Sequence, residues 1–379
     1  MTHTFGADSY PCRIRFSTPL KKVTCQALHL STVFLVLFFW NAASASQNDP
    51  HISNPDISKI TCPLVHSLSS QVHQVQDWMT ELQNRRISID RLLEIKLDHQ
   101  NHTRGFSSST RTVDQLIQRA MNEAVAHGKR LRPLIAWELA ITLGIDPNQL
   151  TPLYRAIEFA HASSLIFDDL PAQDNASTRR GQPTLHIKYS ESTAQLAAVA
   201  LLTQSIREIQ NLEPSFHALE TVKLTAYWTE VIGGSGISLG QAIDLASRQG
   251  KSFTETEYLE LIDLKTGLAF EAPLVGVAIL AKRTDLTEPL KELSRILGRL
   301  YQIKDDILDA TGDQTYLGKP AGQDQTNETL SAIAVYTDVN GATQALEKLY
   351  GEGIELIKRN QEALGKFRIY IDYFYSRTR

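Results

Sequence analysis

The chain has 379 residues, 42% hydrophobic and 21% charged, values of a folded globular protein that exclude a disordered or fibrous polypeptide. Its formal net charge of −4 excludes nucleic acid as the principal partner, because gripping a phosphate backbone requires a strongly basic face. Cys12, Cys25 and Cys62 all lie in the N-terminal part, so the body that follows relies on neither a disulfide framework nor thiolate metal ligands.

In chain order, Arg13, Arg15, Lys21 and Lys22 precede an apolar run from Val33 to Trp40 and then Ala43-Ser44-Ala45. These are the charged, apolar and small-residue parts of a secretory signal, although the run is shorter than the ~20 residues of a membrane-spanning helix. Three readings stand: an export signal, an organellar transit or anchoring segment, or an upstream extension. A cytoplasmic location is expected, since a cysteine-free body shows no adaptation to an oxidising compartment. Residues 1–70 form this extension, with a polar, Pro- and Ser-containing linker over Gln47–His66, and residues 71–379 form the catalytic body.

From Val72 onward the pattern is helical. Val113, Leu116, Ile117 and Met121 recur at helical spacing, then Leu131, Leu134, Ile135 and Leu139. Ala194–Ile209 is apolar on most faces, as expected of a helix buried inside a bundle. Leu290, Leu293, Ile296, Leu297, Leu300 and Ile303 form a long amphipathic run. Alternating strand patterns are scarce and no hairpin signal stands out, so the body reads as one all-α domain.

Two aspartate clusters follow apolar helices: Asp168-Asp169 with Asp174, and Asp305-Asp306 with Asp309. Grouped carboxylates repel one another and persist where a multivalent cation neutralises them; oxygen-only clusters suit Mg²⁺, which is often shared with a substrate's phosphates. Asp305 and Asp309 share a helix face, with Asp306 beside them. Asp168 and Asp174 would diverge on a straight helix, so Pro171 must break it and let Asp174 swing back. Cations lie near. Lys129 and Arg132 in Gly128-Lys-Arg-Leu-Arg-Pro133 are three apart, on one helical face beside a glycine, and Arg179-Arg180-Gly181 follows the first cluster. His161 could donate to a phosphate. Gly233-Gly234-Ser235-Gly236 reads as a helix interruption permitting close packing, ahead of Gly240-Gln241, and Lys265-Thr266-Gly267 brings a cation and a hydroxyl into a buried helix.

In this order the six motifs resemble the trans-isoprenyl diphosphate synthases, the polyprenyl synthetase family, from about Val72 to the C-terminus. Within that family His161–Asp169 and Leu196–Leu202 look most like bacterial geranylgeranyl or farnesyl diphosphate synthases. The resemblance implies an isoprenoid-synthase-type helical bundle around a central cavity, usually a homodimer, acting on isopentenyl diphosphate and allylic diphosphates. It implies Mg²⁺ (three ions) on Asp168, Asp174, Asp305 and Asp309, with Asp169 and Asp306 completing the two clusters. It puts Arg179, Lys265 and Gln302 on the allylic substrate and Lys129, Arg132, His161 and Arg180 on isopentenyl diphosphate, with Gln241 also at the substrate. The Thr266 hydroxyl and Gln302 carbonyl would face the carbocation. A small residue at Ser163, where many relatives carry an aromatic, with Ser164 after it and Ala162 before it, implies room for a twenty-carbon product.

Three departures stand out. Gln325–Thr329 lacks the lysine that the family usually carries after Asp324, a charge-assisted contact whose loss would weaken binding by about 1.5–3 kcal/mol. Phe167 replaces a common histidine, and Lys304 is unusual ahead of the second cluster. The alternatives are a farnesyl diphosphate synthase, a catalytically weak regulatory subunit, and a class I terpene cyclase. The cyclase would have no use for Lys129 and Arg132 at a second diphosphate. Both aspartate clusters survive here, which counts against a regulatory subunit.

Overall fold

A computed structural model describes residues 80–95, 108–213, 215–248, 253–311 and 331–377. The signal-like segment, the linker, the side chain of Val113 and the lysine-free stretch Gln325–Thr329 lie outside the described residues. Asn84–Tyr375 forms one unit; 80–83 and 376–377 belong to another.

The expected all-α architecture is found. The helices are α1 (80–92), α2 (Ser108–Val125), α3 (Leu131–Thr142), α4 (Thr151–Asp169), α5 (Glu191–Gln210) and α6 (Ala218–Ile232). There follow α7 (Ile237–Ser247), α8 (Glu255–Ile262), a π-helical turn (Asp263–Gly267), α9 (Leu268–Leu280), α10 (Thr287–Thr311), α11 (Val339–Arg359) and α12 (Arg368–Ser376). Helix α9 is the centre. Phe270 to Ala278 are all buried, because the helix packs against α3, α6 and α10 on different sides. The run on α10 is buried as its spacing implies, from Leu290 to Ile303, and faces α9 and α11.

Helix α4 ends where its sequence requires. Pro171 cannot follow a helical residue comfortably, and Leu170 turns extended at φ −63° and ψ 153°. Its flank lies along α5, whose buried Ala194, Ala197, Ala198 and Leu201 let the backbones approach. The outer face of α5 is different. Leu196 and Val199 are 59% and 50% exposed, so the helix is not enclosed on all sides as its composition suggested.

The expectation of no hairpin is also corrected. Thr178–Arg179 and Gln182–Pro183 pair antiparallel, with Thr178 opposite Pro183 and Arg179 opposite Gln182. The two linking residues, Arg180 and Gly181, both have positive φ (53° and 76°), the arrangement of a type I′ turn. An arginine in the first of those positions is an uncommon choice, and this hid the turn.

Candidate active site

The first acidic cluster is built by the break in α4. The Asp174 amide donates to the Asp168 carbonyl at 2.9 Å, so the loop returns the chain to the helix end and brings the two aspartates together. Each carboxylate is handled differently. Asp169 is buried and accepts three hydrogen bonds from Arg179 at 2.7–2.9 Å. Asp174 accepts from Arg248 at 2.7 Å. Asp168 is pushed up to about 6, chiefly by burial; Lys265 and Arg179 pull against that shift, while Asp174 and Asp169 add to it.

A chain of alternating charge ties this loop to α7 and the π turn. Arg248 reaches Asp174 and, at 3.3 Å, Asp244; Lys265 donates to Asp244 at 2.7 Å. Gln241 donates to the Gln173 side chain at 2.7 Å, holding the same loop. Close approach is possible because Gly240 has no side chain: a Cβ there would lie 2.6 Å from the Lys265 amide nitrogen. Asp244 and Arg248 were not singled out from the sequence. Their spacing of four, Arg248 capping the C-terminus of the helix that carries Asp244, was the available signal.

The second cluster is also divided. Asp305 is half-buried and Asp309 is buried, and the Oδ1 of Asp309 has no hydrogen-bond partner. Asp306 does not join them. Its carboxylate accepts from Tyr258 (2.6 Å), the Ala332 amide (2.6 Å) and Gln302 (2.9 Å), an anchor between α8, α10 and the chain near Ala332. Gln302 in turn accepts from Thr266 at 3.4 Å, so the π turn places the hydroxyl against α10. A π-helical turn of this sort is a common mark of a functional site. Among the described residues, no three His, Cys, Asp or Glu side chains converge into a complete metal cage. Mg²⁺ does not need one, since waters and substrate phosphates supply its other ligands. A raised Asp168 carboxyl and an unpartnered Asp309 oxygen are groups that a divalent cation would satisfy, so the residues fit such an ion.

The basic side differs from its sequence reading in one respect. Helix α3 starts at Leu131, so Lys129 precedes it and does not share a helical face with Arg132. Arg132 is half-buried, with its guanidinium 5.1 Å from the Phe270 ring centre and Nη1 3.3 Å from His161 Nε2. Arginine cannot accept, so His161 Nε2 accepts and the ring proton sits on Nδ1. Burial, then Arg132, Arg180, Arg179 and Arg130, hold the His161 pKa well below its ordinary value, and the ring is neutral. Arg180 reaches the His127 carbonyl. On α4, Ser163 is buried and donates to the Ala198 carbonyl at 2.9 Å, facing α5. Ser164 shares the face of His161 and Asp168, three residues after one and four before the other. Among the described residues, no helix is long and apolar enough to cross a membrane.

Known proteins resemble this chain in sequence and fold. A farnesyl diphosphate synthase of Geobacillus stearothermophilus is 36% identical over 254 residues, covering 65% of this chain and 82% of that one. Geranylgeranyl pyrophosphate synthase 9, a chloroplastic protein of Arabidopsis thaliana, is 37% identical over 244 residues, 63% of this chain and 68% of that one. The crystal structure of an FPP/GFPP synthase from Zymomonas mobilis superposes with a TM-score of 0.65 at 26% identity, covering 79% of this chain and 99% of that one. The model of the polyprenyl synthetase family matches residues 114–367, and the chain therefore belongs to that family of magnesium-dependent prenyltransferases.

Proposed function

We propose that the body of this chain, residues 71–379, condenses isopentenyl diphosphate with an allylic diphosphate and releases geranylgeranyl diphosphate, in the cytoplasm and as a homodimer. Asp168, Asp174, Asp305 and Asp309 would hold Mg²⁺, in the full complement of three ions. When bound, the ions neutralise the diphosphate leaving group and ease heterolysis of the allylic C–O bond. Lys265 and Arg179 would add positive charge on the same side, each held in reserve on an aspartate, Asp244 and Asp169. The Thr266 hydroxyl and the Gln302 amide oxygen present dipoles without a strong nucleophile. Lys129, Arg132, His161 Nδ1 and Arg180 would orient isopentenyl diphosphate, whose double bond supplies the electron pair for the new C–C bond. Loss of a proton to the released diphosphate then restores a double bond. Asp306 positions Gln302.

The observation that carries the product length is Ser164. It lies one helical turn below Asp168 on the same face of α4, and a side chain this small leaves room for a further five-carbon unit. Ser163, turned toward α5, is the weaker candidate for the floor. Purified protein given isopentenyl and farnesyl diphosphates should yield twenty-carbon product, and Ser164→Phe should stop at fifteen carbons. Farnesyl diphosphate as the end product of the wild type would reject the reading. Unchanged product in the variant would remove Ser164 from it.

A further inference from the structure

We infer that Arg130, lying between two cations proposed to meet substrate, is itself a positioning residue that sets the affinity for the non-allylic diphosphate; the inference rests on the condensation proposed above. Lys129 is exposed, whereas Arg130 is 4% exposed. Its backbone is left-handed at φ 55°, a conformation a non-glycine residue adopts only when its surroundings demand it. That turn sends the side chain inward, while Lys129 stays exposed and Arg132 faces His161.

The guanidinium then binds three helices at once. Nε donates to Asp90 on α1 at 2.7 Å, Nη1 to Glu158 on α4 at 2.5 Å, and Nη2 to the Val125 carbonyl at the end of α2 at 2.5 Å. Glu158 lies one turn before His161, and His161 faces Arg132, two residues beyond Arg130. Arg130 thus closes a small ring: along the chain to Arg132, across to His161, down α4 to Glu158, and back. Glu158 also works against the burial that disfavours the charged forms of Arg132 and Arg180.

Gly128 belongs to the same device. A Cβ at Gly128 would lie 2.9 Å from Arg130 Nη1 and 3.4 Å from Arg180 Nη1. What the glycine admits is therefore two guanidiniums. A buried charge left without its partners is strongly unfavourable, so this ring has one preferred geometry. Loosening it would blur the placement of Lys129, Arg132 and His161 while leaving Arg248, Lys265 and the aspartate loop untouched.

The test is steady-state kinetics on the full chain with each substrate varied in turn, beside thermal melting. Arg130→Lys should raise KM for isopentenyl diphosphate about tenfold, with the allylic KM and kcat changed less than about twofold. Asp90→Asn, at the partly exposed end of the ring, should shift the same constant about threefold in the same direction, and carries the test if the lysine variant fails to fold. Equal rises in both KM values, or a lowered melting point with neither KM changed, would overturn the positioning role. A wild type that forms no prenyl product sinks the condensation reading and this inference together; an active wild type without the split sinks the inference alone.

Discussion

Asp168 is kept in an unfavourable state. Its carboxyl, raised to about 6 from an ordinary 3.8, makes the folded chain bind more protons than the unfolded chain between those values. Stability from this residue therefore declines as pH rises through that window, and the deficit persists above it. Asp168→Asn, neutral at all pH values, should melt about 2–4 °C higher than wild type at pH 8 without Mg²⁺, with a smaller gain at pH 5, and should lose prenyl transfer. An equal gain at both pH values would detach the effect from ionisation. Mg²⁺ affinity of the wild type, followed by titration calorimetry, should rise as pH climbs through about 6, because a cation must displace the proton that the free carboxyl holds below that value. His161 has the opposite sign. Its pKa is depressed, so the unfolded chain takes up a proton that the folded chain refuses, and stability falls as pH drops below the ordinary 6.5. Of these two groups the sequence disclosed the identities and hinted at the chemistry. Their ionisation depends on burial and on arginines from other elements, which spacing along the chain does not report.

Between elements, the site depends on glycine contacts as well as on its charged pairs. On α10, a Cβ at Gly298 would lie 2.7 Å from the Gly267 Cα and 2.8 Å from its nitrogen, and both are backbone atoms. This approach sets Thr266 against Gln302, one turn beyond Gly298. Gly298→Ala should destabilise the fold by about 1–3 kcal/mol and lower kcat more than either KM, measured by denaturation and by kinetics. Full activity in the variant would show that the spacing is slack. Helix boundaries here were legible where they rest on local chemistry. Pro171 ended α4 and Gly233–Gly236 parted α6 from α7, because both act through the backbone of their own residues. The start of α3 was not legible: Arg130 adopts a left-handed backbone for the sake of Asp90 and Glu158, which are 40 and 28 positions away.

For the whole molecule, the open question is the apolar face on α5 and α6. Leu196, Val199, Leu219 and Val222 are each at least half exposed and recur at helical spacing on two neighbouring helices. Such an exposed apolar face calls for a partner, and a second copy supplies a self-complementary one. The double variant Leu196→Glu, Val222→Glu should convert a dimeric wild type to monomer in sedimentation velocity. A variant that stays dimeric would place the interface elsewhere.

The sequence by itself determined the family, the helical body, the two acidic walls and most of the charged residues around them, because these follow from composition, periodicity and ordered motifs. Tertiary structure alone decided which carboxylate is spoken for: Asp169 by Arg179, Asp306 by Tyr258 and Ala332, with Asp168 left unsettled. It also decided that Ser163 turns toward α5 and that Arg130 points inward. The physical reason is common to all of them. A motif fixes which groups are near one another along the chain, but the protonation, pairing and direction of a buried polar group are set by whatever distant element has come to lie beside it.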